Sequence, residues 1–359
     1  MKVLVTGSKG FVGKHMTLAL KNAGYEVYEY DLGVGNLEEV TKDCEFVFHF
    51  AGVNRPEDDD FSPNYKTLND VLDALQANDN KCPVMLSSST QAVLNNPYGE
   101  SKRLAEEILT SYGESNDVKT YAYRFCNIFG PGCKYNYNSV VATWCHNLSH
   151  NIECKIDDPN KDITLLYIDD LVDSLLTLLK TGETVVPHIV TLTLGDLYSQ
   201  LIQIRDSVNN GYMLEVGTDS GDEFISKLYS TYLYYIGYPI IGKEMHEDNR
   251  GSFTELMRSK ETGQVSINII KPGVTKGGHY HFSKWEQFIV VKGYCKITET
   301  NIFTGQEKTY SADEVEIKSL YMKPMHMHWI TNIGTTDAVV VIYANECYDP
   351  NDPDTFVLK

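Results

Sequence analysis

Long apolar runs are missing from this 359-residue chain, and with them the mark of a membrane-spanning helix, which needs ~18 or more consecutive apolar residues. No basic, apolar leader stands before the first short apolar strand, Val3 to Val5, so a cytoplasmic protein is expected. Basic residues are in deficit, 31 Lys and Arg against 49 Asp and Glu, for a formal charge of −18. That balance argues against a non-specific nucleic-acid binder, because phosphate backbones are held by basic surfaces. It leaves open a nucleotide held locally by backbone N–H groups and a few cations. Cysteine is sparse and unpatterned: Cys44, Cys82, Cys126, Cys133, Cys145, Cys154, Cys295 and Cys347 include no Cys-x-x-Cys, which points to reduced thiols and not a disulfide framework. Internal repeats and low-complexity tracts are also absent. At ~100–200 residues per domain, the length suggests two domains.

What is present begins with a strand, Lys2 to Thr6, followed by Gly7, Ser8, Lys9, Gly10, Phe11, Val12 and Gly13 and a helical stretch to about Ala23. Glycines between a strand and a helix bring backbone N–H groups and a helix N-terminus against a pyrophosphate. A second strand, Glu26 to Tyr30, ends in Asp31, about 20 residues on, where a carboxylate accepts hydrogen bonds from ribose hydroxyls and disfavours a 2′-phosphate. The apolar Leu32 after it also suits NADH. A third strand, Glu45 to Ala51, carries His49, read as structural, and runs into Ala51, Gly52 and Val53, small enough at the first two positions to pass close to a dinucleotide. A fourth, Pro83 to Leu86, ends in Ser87, Ser88 and Ser89, hydroxyls expected at the carboxyl end of the sheet where ligands bind.

Tyr98 and Lys102 stand four apart at the start of a helix suggested by Ser101 to Leu109, so both side chains leave one face about 5–6 Å apart at Cβ. A cation beside a phenol favours the phenolate, which suits acid–base chemistry on an alcohol or ketone. With His49 to Gly52, the serine cluster, Tyr123 to Pro131 and Tyr167 to Asp170, these motifs make the first ~235 residues resemble an extended short-chain dehydrogenase/reductase acting on nucleotide sugars. The resemblance implies a Rossmann-type doubly wound parallel sheet. It implies Ser89, Tyr98 and Lys102 as the catalytic set, with Ser89 orienting the carbonyl, Tyr98 as general acid, and Lys102 lowering its pKa and gripping the nicotinamide ribose. It further implies Gly7, Lys9, Gly10, Phe11, Val12, Gly13, Asp31, Ala51, Gly52 and Val53 about the cofactor, Asn127 against substrate, and NADPH, where Asp31 argues for NADH. Sugar dehydratases of this class carry an Asp-Glu pair where this chain has Thr90 and Gln91, so plain oxidation or reduction is expected.

The region around Leu197 to Val208 has helical periodicity, and the run Leu228 to Tyr235 reads as a tyrosine stripe used for packing or for a domain junction. From Tyr238 the texture changes to short β-rich runs broken by Gly, Asn and Pro, as in a jelly roll. Domains are therefore expected at 1–238 and 239–359. His279 and His281 alternate on one strand and Glu286 follows, an N/N/O metal set, with His328 expected to complete it and His326, two residues earlier, as the alternative. Gly273, His279, His281, Glu286 and Gly293 are similar to the first cupin motif. The second departs from it, since Pro324-Met325-His326-Met327-His328 lacks the glycine of Pro-x-Gly-x-x-His. Zinc is expected, although Fe, Mn or Ni would accept the same ligands. Arg250, Phe253 and Glu255 resemble the nucleotide-contacting residues of cupin sugar-nucleotide epimerases.

A reductase joined to such a cupin resembles the bifunctional capsular-polysaccharide enzymes that make an N-acetylated 6-deoxy-L-talose nucleotide. The substrate so implied is a UDP-linked 4-keto-6-deoxy amino sugar, epimerised at C3 and reduced at C4 by a homodimer. Lys271, Tyr280, Tyr321 and His326 are candidate epimerase bases. A reductase of a dTDP-linked sugar with a purely structural cupin, and a nucleotide-sugar sensor, are the alternatives.

Overall fold

The computed structural model describes residues 1–31, 35–213, 220–237, 242–259 and 261–358. Leu32 and Tyr238 therefore lie outside the described residues. The chain divides into two compact units, Met1–Gln203 with Thr218–Gly237, and Ile204–Gly217 with Tyr238–Lys359. Residues 204–217, expected in the first domain, thus count with the second unit.

The first unit alternates strands and helices: β1 (Lys2–Thr6), α1 (Phe11–Asn22), β2 (Glu26–Tyr30), α2 (Leu37–Val40), β3 (Phe46–His49), α3 (Pro63–Ala77), β4 (Val84–Ser89), α4 (Pro97–Asn116) and β5 (Thr120–Phe125). The five strands pair in parallel in the order β2-β1-β3-β4-β5. The order turns back between β1 and β3. Right-handed crossovers on either side of that point put α1 and α3 on opposite faces and open a crevice at the strand ends. Apolar runs in β1, β3 and β4 are buried on both faces, Val3, Leu4, Val47, Phe48, Met85 and Leu86 being inaccessible. Leu68, Val71, Leu72 and Leu75 of α3 and Ala105, Leu109 and Tyr112 of α4 recur at helical spacing and close one core over the sheet. Farther along come β6 (Asn127–Phe129), α5 (Val140–Ser149), β7 (Asp162–Tyr167), α6 (Ile168–Thr181), β8 (Ile189–Thr193), α7 (Leu194–Asn209) and α8 (Ser220–Tyr234), with β6, β7 and β8 in a small mixed sheet. The tyrosine run packs: Leu228, Tyr232 and Tyr235 are buried, with Tyr234 exposed.

The second unit is an antiparallel, cupin-like sandwich of β9 (Met245–Asp248), β10 (Gly251–Ser259), β11 (Gly263–Ile270), β12 (Thr275–His279), β13 (Glu286–Lys292), β14 (Tyr294–Asn301), β15 (Glu307–Asp313), β16 (Ser319–Met322), β17 (His326–Asn332) and β18 (Ala338–Ala344). One sheet runs β16-β13-β18-β11-β10-β9 and the other β12-β17-β14-β15. Period-two alternation puts Phe288, Val290, Ile297, Ile330, Val340 and their neighbours into one core. Around the row Glu286, Ala344, Gln264 and Arg258, paired across four strands, the inner face turns polar and lines a cavity.

Candidate functional sites

In the first unit, Gly7 adopts φ +65°, and a Cβ there would stand 2.7 Å from the Ala51 backbone nitrogen. A Cβ on Gly13 would meet the Gly7 carbonyl oxygen at 2.1 Å. Glycine at both places lets β1, α1 and the chain after β3 close to backbone contact. Gly10 caps α1 without a side-chain hydrogen bond, so the N–H groups of Phe11, Val12 and Gly13 open the helix toward an anion. Beside this loop Thr6, Gly7, Gly10, Tyr30, Asp31, Ala51, Gly52 and Val53 line a cavity of about 210 Å³. Asp31 also accepts the Lys9 N–H at 3.0 Å, which fastens β2 to the glycine loop. The cradle and the uncapped helix fit a dinucleotide. His49 is buried, bonds to Thr6 Oγ1 at 2.9 Å, and is pulled by burial to a pKa of about 3, as a neutral structural group would be.

Asn96 caps α4 by accepting the Gly99 N–H at 2.8 Å, with Pro97 at its first position, so the helix starts ahead of Tyr98. Tyr98 and Lys102 do share a face. The ammonium is 5.9 Å from the phenol ring centroid, however, and donates to the Ser87 carbonyl at 3.0 Å. The Tyr98 hydroxyl donates to Asn54 Oδ1 at 3.0 Å. Burial raises the Tyr98 pKa above its ordinary value, against an opposing hydrogen bond from Ser89. The expected lowering by Lys102 is therefore corrected: desolvation dominates, and Lys102 is not among the groups that shift the phenol. Burial in turn brings Lys102, 5% exposed, down to about 8. The three serines divide because strand side chains alternate: Ser89 Oγ accepts the Gln91 N–H at 3.1 Å, whereas Ser88 donates to Glu106, itself bridged to Arg124 at 2.7 Å. Asn127 opens β6, exposed, and donates to Thr164 O at 3.1 Å.

In the second unit one nitrogen or oxygen from each of His279, His281, Glu286 and His328 falls within 4.8 Å of all the others. His328 pairs directly with His279 across β17 and β12. His326 is turned away, its Nδ1 on Pro324 O at 3.0 Å and its Nε2 3.3 Å from Asn301, which decides between the two histidines. His281 Nδ1 lies 2.5 Å from the Asp354 carbonyl and His328 Nδ1 3.2 Å from the His326 carbonyl. A carbonyl only accepts, so both rings carry the proton on Nδ1 and aim a lone pair from Nε2. Those Nε2 atoms are buried without a hydrogen-bond partner among the described residues and lie 3.7 and 3.2 Å from Glu286 Oε2. Lone pairs converging on a carboxylate call for a cation between them, so the donor set fits a divalent metal. Burial, with His328 and His281 alongside, pulls His279 to about 4.

The cluster opens on a cavity of about 780 Å³ whose walls include Phe253, Glu255, Arg258, His246 and Lys284. Arg250 is not among its lining residues; its guanidinium forks onto Asp248 at 2.7 and 2.9 Å. Arg258 stands there instead, because a bulge between Glu255 and Met257 shifts the strand's alternation by one residue. None of Lys271, Tyr280, Tyr321 or His326 is among the lining residues either. Met325, at the turn of the divergent second motif, takes φ +59° and donates its N–H to His281 O at 2.8 Å.

Comparison with known proteins bears on both units. The NAD dependent epimerase/dehydratase family matches residues 3–192, and the polysaccharide biosynthesis C-terminal domain matches residues 246–356. A Pseudomonas aeruginosa protein named UDP-2-acetamido-2,6-beta-L-arabino-hexul-4-ose reductase is 38% identical over 99% of this chain and 98% of its own. The crystal structure of the capsular polysaccharide assembling protein CapF from Staphylococcus aureus superposes with a TM-score of 0.91 at 36% identity over the whole of both chains. At 21% identity and a TM-score of 0.54, UDP-glucose 4-epimerase from Thermotoga maritima shares the fold over 66% of this chain and 98% of its own. The glycine cradle, the Tyr98–Lys102 helix and a match to more than half the chain agree: this protein belongs to the NAD dependent epimerase/dehydratase family and carries a polysaccharide biosynthesis C-terminal domain.

Proposed function

We propose that the chain is a bifunctional nucleotide-sugar enzyme. The second unit epimerises C3 of a UDP-2-acetamido-2,6-dideoxy-4-hexulose, and the first reduces the C4 ketone with NADPH to UDP-2-acetamido-2,6-dideoxy-L-talose. The observation that carries this reading is the presence in one chain of two polar centres suited to different chemistry: the Ser89, Tyr98 and Lys102 group, and the imidazole–carboxylate cluster beside a large cavity. The name of the Pseudomonas aeruginosa relative supports the reductive half. The order follows from the chemistry. Only while C4 is a ketone is the C3 hydrogen acidic, so exchange at C3 precedes reduction.

A reduced nicotinamide, when bound, supplies the hydride that C4 accepts. Tyr98, kept protonated by its burial, leaves Asn54 and gives its proton to the C4 oxygen, while Ser89 orients that oxygen and Lys102 holds the ribose. In the second unit His279, His281, Glu286 and His328 would hold zinc, which supplies Lewis acidity or a structural cross-link. Arg258 and Lys284 offer positive charge to the diphosphate, and Phe253 an apolar face to the base. The C3 proton acceptor falls among the titratable groups lining that cavity, Glu255 and His246 included. The protein is expected to act as a cytoplasmic homodimer.

NMR of the product formed from the UDP-linked keto sugar in D2O tests both halves. Wild type should give a C4 alcohol with deuterium at C3; product reduced without C3 inversion or exchange would instead support a reductase with a structural second unit, the narrower reading that the relative's name favours.

A further inference from the structure

The turn that joins His281 to Glu286 has no regular structure, and residues from the far end of the chain hold it. Tyr280, between His279 of β12 and His281, makes an antiparallel bridge with Phe356: each N–H donates to the other's carbonyl, at 2.9 and 3.0 Å. Two residues earlier, the Asp354 carboxylate accepts the backbone N–H groups of Phe282, Ser283 and Lys284 at 2.9, 3.0 and 2.8 Å, and the Ser283 hydroxyl at 3.1 Å. Asp354 sits at φ +38°, where few side chains are tolerated, and its own carbonyl faces His281 Nδ1 at 2.5 Å. The Lys284 ammonium, buried, donates to Pro353 O at 2.7 Å. Pro350 and Thr355 of this tail also line the large cavity.

We propose that Asp354 is a positioning residue for the metal centre: by pinning residues 282–284 it keeps its own carbonyl on His281, fixing the tautomer and aim of that imidazole. This rests on the reading of the four-residue cluster as a divalent-metal site. Asp354 is not one of the four residues of the cluster. It acts through three backbone N–H groups, and the carbonyl one bond away from its Cα acts on the ring. Loss of such an outer partner typically weakens metal binding about 10–100-fold.

The test uses the full-length chain, wild type beside Asp354→Gly and Asp354→Asn. Glycine suits the positive φ and removes only the carboxylate; asparagine keeps the conformation and one acceptor oxygen. Zinc affinity is measured by competition with a chromophoric chelator, and the His281 tautomer in metal-free protein by nitrogen-15 NMR. Asp354→Gly is expected to bind zinc about 10–100-fold more weakly, with the His281 signals moving from the Nδ1–H form toward a mixture of tautomers, and Asp354→Asn to fall between. Should the glycine variant not fold, the asparagine variant alone decides by the same two readings. Equal zinc affinity and an unchanged tautomer in a folded variant would overturn the proposal, even if the melting temperature fell, because that is the signature of a merely structural anchor. Wild type that takes up no zinc would overturn the metal reading itself, and the proposal with it.

Discussion

The two units build their sites from different materials. In the first, most of the work falls to main chain: a glycine loop, an uncapped helix and the carbonyl of Ser87, with Tyr98 and Lys102 added on one helix. In the second the site is made of side chains from β12, the turn after it, β13 and β17, spread over both sheets. A site at adjoining strand ends tolerates change in the sheet beneath it. One assembled across a sandwich depends on the sheets holding register and on whatever braces the turns between them.

That contrast predicts separable losses. The largest is expected from Tyr98→Phe, which removes the proton donor and should lower C4 reduction about 10²–10⁴-fold while leaving deuterium uptake at C3 unchanged; loss of both activities would break the two-centre description. Next, chelation of zinc should lower the melting temperature of the second unit alone, a linkage worth about 4 kcal/mol where the metal stands at 1,000 times its Kd, with NADPH binding unaffected; calorimetry of the two transitions checks it. Gly13→Ala should act on the other side, forcing α1 off the Gly7 carbonyl at a cost of about 1–3 kcal/mol, seen as a lower first transition and weaker NADPH binding. The smallest effect concerns pH. Burial lowers Lys102 to about 8, so its charge is present below that pH and lost above it, and kcat/KM for reduction should fall by about tenfold per pH unit once past that pKa. A flat profile from 7 to 10 would separate Lys102 from the reductive step.

The same contrast explains what could be read in advance. The glycine loop, Asp31 and the Tyr98–Lys102 spacing are each local in sequence; Gly7, Gly10 and Asp31 line one cavity, and a Cβ on Gly52, which also lines it, would stand 3.5 Å from the Lys102 ammonium. The pair His279 and His281 with Glu286 was legible for the same reason. The register of β17 against β12 sets His328, the residue preferred to His326 from sequence, directly opposite His279. Arg250 was the arginine expected in the cavity and Arg258 is the one found there, because a bulge is invisible in a string of letters and changes which residues face inward. The Asn54 bond to Tyr98 joins residues 44 apart, and Asp354 reaches His281 over 73. No periodicity signals either, since each depends on how tertiary structure folds a loop or tail back.

Met325 shows how a motif can lose its spelling and keep its shape. Holding a methionine in left-handed backbone costs on the order of 1–2 kcal/mol, and here the peptide nitrogen is tied to the carbonyl of His281, in the turn after β12. The glycine that would relieve this position is thus dispensable so long as that tether persists, and Met325→Gly would make the turn cheaper to form without altering its course. Relatives of this protein are therefore better sought by the geometry of that corner than by a pattern demanding glycine.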